Sequence, residues 1–147
     1  MSSITNENVQ KFKSYGFVLT PVIKSKDPSE DKKPLVNKKT EYMWSNRVGY
    51  EWTDQELLDA NRIGAWHEDS KIFDVDFDDR ELNAHKFIDM LPPTFTIGKK
   101  VNGRTIATHL IYKTNEKVKD EKKTQPLVEM LANTQTIIAG VDRVIIN

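Results

Sequence analysis

Residues 71–77, Lys-Ile-Phe-Asp-Val-Asp-Phe, constrain the fold more than any other segment of the sequence. Apolar residues of the β-branched and aromatic types that favour strands alternate here with two acids. Successive side chains of a strand point to opposite faces, so Asp74 and Asp76 must share one face. The opposite, apolar face holds Phe73, Val75 and Phe77. We therefore expect a strand that packs its aromatic face on helices and presents two carboxylates about 7 Å apart on the other face.

The other segments predict a mixture of short helices and strands. Helices are expected over 6–15, from the capping-box sequence Thr53-Asp54-Gln55-Glu56 to about 61, and from Asp78 or Asp79 to 91. Strands are expected over 17–23, 63–66, 94–98, 105–113, 126–132 and 135–139. The stretch 24–40 is typical of a loop. This order indicates an α+β fold with a central, mainly antiparallel sheet.

Length and composition limit the class of protein. A chain of 147 residues, 37% hydrophobic and 30% charged, fits a single globular domain, 1–147. It contains no run of about 18 apolar residues and no visible secretory leader, so we expect a cytoplasmic protein without a membrane partner. The absence of cysteine excludes disulfides and thiolate zinc sites. A net charge of zero argues mildly against tight binding to nucleic acid through electrostatics alone.

The two same-face aspartates predict a site for a divalent cation. Their charges repel each other unless a cation lies between them, and Mg²⁺ prefers carboxylate oxygens. Removing both acids should then leave the fold intact or slightly more stable. A solvated strand edge is the alternative interpretation. A calcium-binding EF-hand is excluded, because Asp79 stands where glycine is needed and His85 where glutamate is needed.

His109 is the histidine best placed for chemistry. It lies on the predicted strand 105–113, between cations such as Arg104 and Lys113 that could neutralise a triphosphate. A hydrogen-bonded core histidine is the alternative. His85 lies on a predicted helix and is interpreted as structural, and His67 lies in a predicted turn and receives no role.

Glu129 is the third candidate acid, within the apolar sequence Leu127-Val128-Glu129-Met130-Leu131. A buried, unpaired carboxylate is costly, so a metal or a neighbouring cation should compensate its charge. Asp142 is an alternative for the same role, although Gly140-Val141 before it indicates a turn.

The motifs of the chain, taken in their order along the sequence, resemble those of the bifunctional primase–polymerase domain of the archaeo-eukaryotic primase superfamily. This domain is found in phages, plasmids and mobile elements. The resemblance rests on Gly16-Phe17-Val18-Leu19-Thr20-Pro21-Val22 with Lys33-Pro34, Ile63-Gly64, Phe73-Asp74-Val75-Asp76, Gly103-Arg104, His109-Leu110-Ile111-Tyr112, Val128-Glu129-Met130-Leu131 and Gln135-Thr136-Ile137-Ile138. It covers nearly the whole chain. Departures are the segment Thr105-Ile106-Ala107-Thr108, where relatives have a Ser- and Gly-rich approach to the histidine, and the end at Asn147, where relatives usually continue.

The resemblance implies a small N-terminal α/β unit packed with an RRM-like sheet. It implies that Asp74, Asp76 and Glu129 hold two Mg²⁺ or Mn²⁺ ions. His109, helped by Arg104, Thr108 and Lys113, would bind the triphosphate of a dNTP or NTP. The implied activity is template-dependent nucleotidyl transfer, as a DNA primase or DNA polymerase, on single-stranded DNA template and primer. The implied setting is phage or plasmid replication in the cytoplasm of a bacterial host or virus-infected cell. The resemblance also implies a helicase as a further partner, and that the chain is one part of a longer replication protein.

Two other functions remain open at the level of sequence. A non-catalytic replication-initiator module would bind nucleic acid on its sheet, and would need exposed aromatic residues at alternate strand positions. A metal-dependent nuclease could use the same carboxylates, with His109 as a base.

Overall fold

The computed structural model describes residues 2–22, 51–77, 84–116, 128–132, 135–140 and 142–147. The predicted loop 24–40 and the predicted caps Asp78 and Asp79 lie outside these ranges. Within them the chain is α+β, with few helices and mostly antiparallel sheets. No helix in the described part is long and apolar enough to cross a membrane.

Three short α-helices, one 3-10 helix and eight strands make up the described chain. The helices are α1 (Asn6–Ser14), α2 (Asp54–Leu58), α3 (His67–Ser70) and the 3-10 helix Ala84–Met90. The strands are β1 (Leu19–Val22), β2 (Arg62–Trp66), β3 (Ile72–Phe77), β4 (Phe95–Val101), β5 (Arg104–Lys113), β6 (Val128–Leu131), β7 (Gln135–Gly140) and β8 (Val144–Ile145).

Several local predictions are confirmed. The capping box forms at α2, where the Thr53 hydroxyl accepts from the Glu56 amide and the Glu56 side chain accepts from the Thr53 amide. Pro21, which argues for an edge or a bend in the predicted strand 17–23 because it lacks an amide proton, lies on β1 at the edge of its sheet. The larger differences are these: α2 ends at Leu58, β4 continues to Val101, residues 67–70, expected as a polar turn, form the helix α3, and the helix expected to reach 91 is a 3-10 helix.

The strands form two sheets instead of the single central sheet expected. The smaller sheet has the order β1-β2-β7, and the larger has the order β6-β3-β5-β4-β8. Every strand pair described is antiparallel. β8 was not predicted, since two residues give no periodicity to detect.

The main hydrophobic core takes side chains from both sheets and from α1. Ile72 and Ile111 of the larger sheet join Ile63 and Ile138 of the smaller sheet, with Phe12 of α1. Ile72 shares its face of β3 with the two aspartates, so that face points towards the main core.

The opposite face of β3 packs as expected. Phe77 and Leu110 form a second cluster, against which Ile88 of the 3-10 helix packs with Leu91. Further along this face, the ring of Phe73 stacks on Tyr112. The prediction of an apolar face packed on a helix is therefore confirmed around Phe77, while Phe73 packs on a neighbouring strand.

Candidate functional site

The two aspartates lie inside the larger sheet, because β3 is paired on both sides, with β5 and with β6. Asp76 is directly opposite His109 on one neighbour and Glu129 on the other. Side chains directly opposite each other share a face, with Cβ atoms about 4.5–5.5 Å apart. The alternative of a solvated strand edge is wrong, since Asp74 is 0% exposed.

Asp74 concentrates its hydrogen bonds on one carboxylate oxygen. Oδ2 accepts from the Thr136 hydroxyl at 2.7 Å and from His109 Nδ1 at 2.8 Å. Oδ1 is buried and has no hydrogen-bond partner among the described residues. A buried acceptor without a partner costs about 1–3 kcal/mol, and more when it is charged. This oxygen is therefore chemically suited to a cation.

The His109 imidazole lies between the two carboxylates. Its Nδ1 is 2.8 Å from Asp74 Oδ2 and 3.5 Å from Asp76 Oδ1. Burial alone would lower the pKa of His109, but the charge of Asp74, its hydrogen bond and the charge of Asp76 outweigh burial and the nearby Arg143, and raise it. With Nδ1 directed at Asp74, the protonated ring has Nε2–H left to donate to another acceptor.

A buried hydrogen-bond chain behind Asp74 was missed by the sequence analysis. His67 Nε2 lies 2.7 Å from Thr136 Oγ1, and the two residues are 0% and 3% exposed. Because the single hydroxyl proton of Thr136 goes to Asp74, His67 must donate to Thr136 through Nε2–H. The contact joins residues 69 apart in the chain, so no local pattern could have indicated it.

A cavity of about 100 Å³ adjoins these groups. It is lined by Asp74, Asp76, His109, Leu131, Gln135, Thr136, Ile137 and Arg143. Arg143, another residue that the sequence analysis missed, contributes a cation to the wall. The small sheet and the large sheet both contribute lining residues, so the cavity lies between them.

Asp142 is engaged elsewhere and does not line this cavity. Its Oδ2 pairs with Arg62 at 2.6 Å and with Arg143 at 3.3 Å. Burial would raise the pKa of Asp142, but the charges of Arg143 and Arg62 outweigh it and lower the pKa. Asp142 Oδ2 is therefore accounted for by these ion pairs, while Oδ1 is buried without a hydrogen-bond partner among the described residues.

Glu129 is brought beside Asp76 by strand register, is half-buried, and is not among the residues that line the cavity. Among the described residues, no group of three or more His, Asp or Glu side chains is arranged to hold a metal. The donor set that the structure does bring together is Asp74 and Asp76, with the unpartnered Asp74 Oδ1. This set fits a hard divalent cation, which takes one or two carboxylates and completes its shell with water and phosphate oxygens.

The other three predicted nucleotide-binding residues lie away from the cavity lining. Arg104 is exposed at the start of β5, five residues before His109. The hydroxyl of Thr108 donates to the Ile97 carbonyl at 3.4 Å. Lys113 donates to the Ser70 carbonyl at 3.1 Å and lies over the Phe17 ring.

The sequence matches no protein-family model and no curated protein.

Proposed function

We propose that this chain is the catalytic core of a DNA primase–polymerase, which adds nucleotides to a 3′-hydroxyl under the direction of a template. The observation that carries the proposal is the row Glu129–Asp76–His109 across three paired strands. Asp74 lies two residues before Asp76 on the same face of β3. It supports the function because nucleotidyl transfer needs acids and a phosphate-binding group on one surface.

Asp74 and Asp76 would hold Mg²⁺ or Mn²⁺, and Asp74 Oδ1 has no hydrogen-bond partner among the described residues. Glu129 is close enough in register to complete the ligand set after a side-chain rotation. The bound ions would activate the attacking hydroxyl and neutralise charge on the leaving pyrophosphate. No cysteine is available for zinc, and these oxygen donors favour Mg²⁺ or Mn²⁺ over zinc.

His109 and Arg143 would bind the triphosphate of the incoming dNTP or NTP. Nε2–H of the protonated His109 can donate to a phosphate oxygen while Nδ1 stays on Asp74. Arg143 presents a guanidinium at the same cavity, and this group is suited to phosphate. Arg104, Thr108 and Lys113 would act only on parts of the substrate that extend beyond the cavity.

In the proposed reaction the primer 3′-oxygen forms a bond to the α-phosphorus. The bond from that phosphorus to the bridging oxygen breaks, and the electron pair leaves with pyrophosphate. The hydroxyl proton passes to water. The chain's own residues position the two reactants and neutralise charge, which is most of what phosphoryl transfer requires from a protein.

A single-stranded template with a labelled primer tests the proposal, in the presence of dATP and either Mg²⁺ or Mn²⁺. We expect extension of the primer by the wild type and none by Asp74→Ala with Asp76→Ala. The matched control removes two exposed acids far from the site, Glu7→Ala with Asp59→Ala, and should extend normally.

Each of the other outcomes contradicts the proposal. Shortening of the labelled primer would indicate a metal-dependent nuclease that uses the same carboxylates. Binding of the template without any chemistry would indicate a replication-initiator module. Equal extension by the Asp74/Asp76 double variant and its control would show that these acids hold no catalytic metal.

A further inference from the structure

Thr136 of β7 is the group that links the smaller sheet to the candidate metal-binding carboxylate. Its hydroxyl donates to Asp74 Oδ2 at 2.7 Å, and its oxygen in turn accepts from His67 Nε2 at 2.7 Å. All three side chains are buried. A fully buried polar chain persists only where its hydrogen bonds are satisfied, and Asp74 Oδ1 is the carboxylate oxygen of this three-residue chain that has no partner among the described residues.

We infer that Thr136, held by His67, is a positioning residue that fixes the Asp74 carboxylate so that Oδ1 is presented to a divalent cation. The inference rests on the proposed function, because it gives that cation's ligand its orientation. Metal-ligating carboxylates are commonly held by such outer hydrogen bonds. The role belongs to residues that the motifs around Asp74 do not include.

The chemistry of the threonine hydroxyl suits this role. Thr136 carries no charge, so it orients the carboxylate without repelling a cation, which a lysine or arginine at the same place would do. It also acts independently of His109. Because Thr136 donates from the smaller sheet and His109 from the larger one, the Asp74 carboxylate is held from two sides while His109 Nε2–H donates to a triphosphate.

His67 fixes the direction of the threonine hydroxyl. The hydroxyl proton goes to Asp74, and the His67 contact then occupies a lone pair of Oγ1, so the hydroxyl is held from both sides. His67 itself is 0% exposed, on a helix that directly follows β2. The chain of donors therefore runs from the smaller sheet to the larger one in a single direction.

Binding of Mn²⁺, measured by electron paramagnetic resonance without nucleotide or DNA, tests this inference separately from activity. We expect Thr136→Val to weaken Mn²⁺ binding by roughly 10- to 100-fold, the usual effect of losing an outer hydrogen bond. Thr136→Ser keeps the hydroxyl and should bind within about threefold of the wild type. Asp74→Asn should abolish binding.

Thr20→Val is the matched control for the loss of a buried hydroxyl. Thr20 is 0% exposed in the same small sheet, and among the described residues its hydroxyl has only a 3.5 Å contact, with the Pro21 carbonyl. The Thr20→Val variant should bind Mn²⁺ as tightly as the wild type does. His67→Leu should weaken binding, and His67→Gln, which keeps an N–H donor, should recover part of the loss. Circular dichroism confirms that each variant is folded at the temperature of the measurement.

Two different failures can be told apart. If Asp74→Asn loses Mn²⁺ but Thr136→Val binds as tightly as the wild type, the positioning role is wrong and the metal site stands. If the folded wild type binds no Mn²⁺, the metal site and the positioning role are both overturned.

Discussion

For Asp74, the effect on stability that the sequence motif predicts differs from the effect that its hydrogen bonds in the structure predict. The alternation in 71–77 correctly predicts that Asp74 and Asp76 share a face of a strand. Repulsion between the two acids predicts that their removal is harmless to the fold. In the structure, Asp74 instead accepts hydrogen bonds from two donors in a buried setting. The local pattern contains no information about these donors, because both lie on strands that are far from Asp74 in the sequence.

We therefore expect Asp74→Ala to lower the free energy of unfolding by about 1–3 kcal/mol, since buried donors of Thr136 and His109 lose their acceptor. Asp74→Asn keeps one oxygen for these donors and should lose less. Unfolding in urea measures both changes. An alanine variant as stable as the wild type, or more stable, would favour simple repulsion and contradict the hydrogen-bonded arrangement.

At the scale of elements, strand register decides which groups meet. A β-bulge between β4 and β5 lies beside the site: Ile97 is opposite His109, while Gly98 is opposite Ala107. Thr108 is thus the extra residue on β5. A Cβ atom at Gly98 would lie 2.2 Å from the Ile106 carbonyl oxygen, so this position admits only glycine without a shift of the backbone.

Gly98→Ala should disturb the bulge and with it the setting of His109, at a cost of about 1–3 kcal/mol in stability. Gly103→Ala is the control: it has a positive φ of 76°, but no neighbouring atom lies within 4 Å of its new Cβ. Imidazole ¹H–¹⁵N spectra should show shifted His109 signals in Gly98→Ala and unchanged ones in Gly103→Ala. Unchanged His109 signals in both variants would show that the bulge does not set this side chain.

The positions of most helices and strands could be predicted from the sequence, because the signals for them are local. The alternation around Asp74 and the capping box at Thr53 predicted β3 and the start of α2. The division of the strands between two sheets could not be predicted, since pairing depends on contacts between residues far apart. The same reason explains why Thr136 and His67 received no role in the sequence analysis.

At the scale of the whole molecule, the candidate site lies where the two sheets meet. The larger sheet supplies Asp74, Asp76 and His109, and the smaller sheet supplies Thr136. The main core joins both sheets next to the site. A site built in this way keeps its geometry only while the sheets remain packed, so metal binding and folding should be thermodynamically coupled.

The most direct test of the central claim is anomalous diffraction from crystals containing Mn²⁺ and a non-hydrolysable dATP analogue. We expect a manganese peak about 2.0–2.3 Å from Asp74 Oδ1 and from an Asp76 oxygen. Glu129 should have turned towards the peak, and a phosphate oxygen should lie within hydrogen-bonding distance of His109 Nε2. A manganese peak elsewhere on the protein, or none between the two aspartates, would contradict the assignment of this cavity as a nucleotidyl-transfer site.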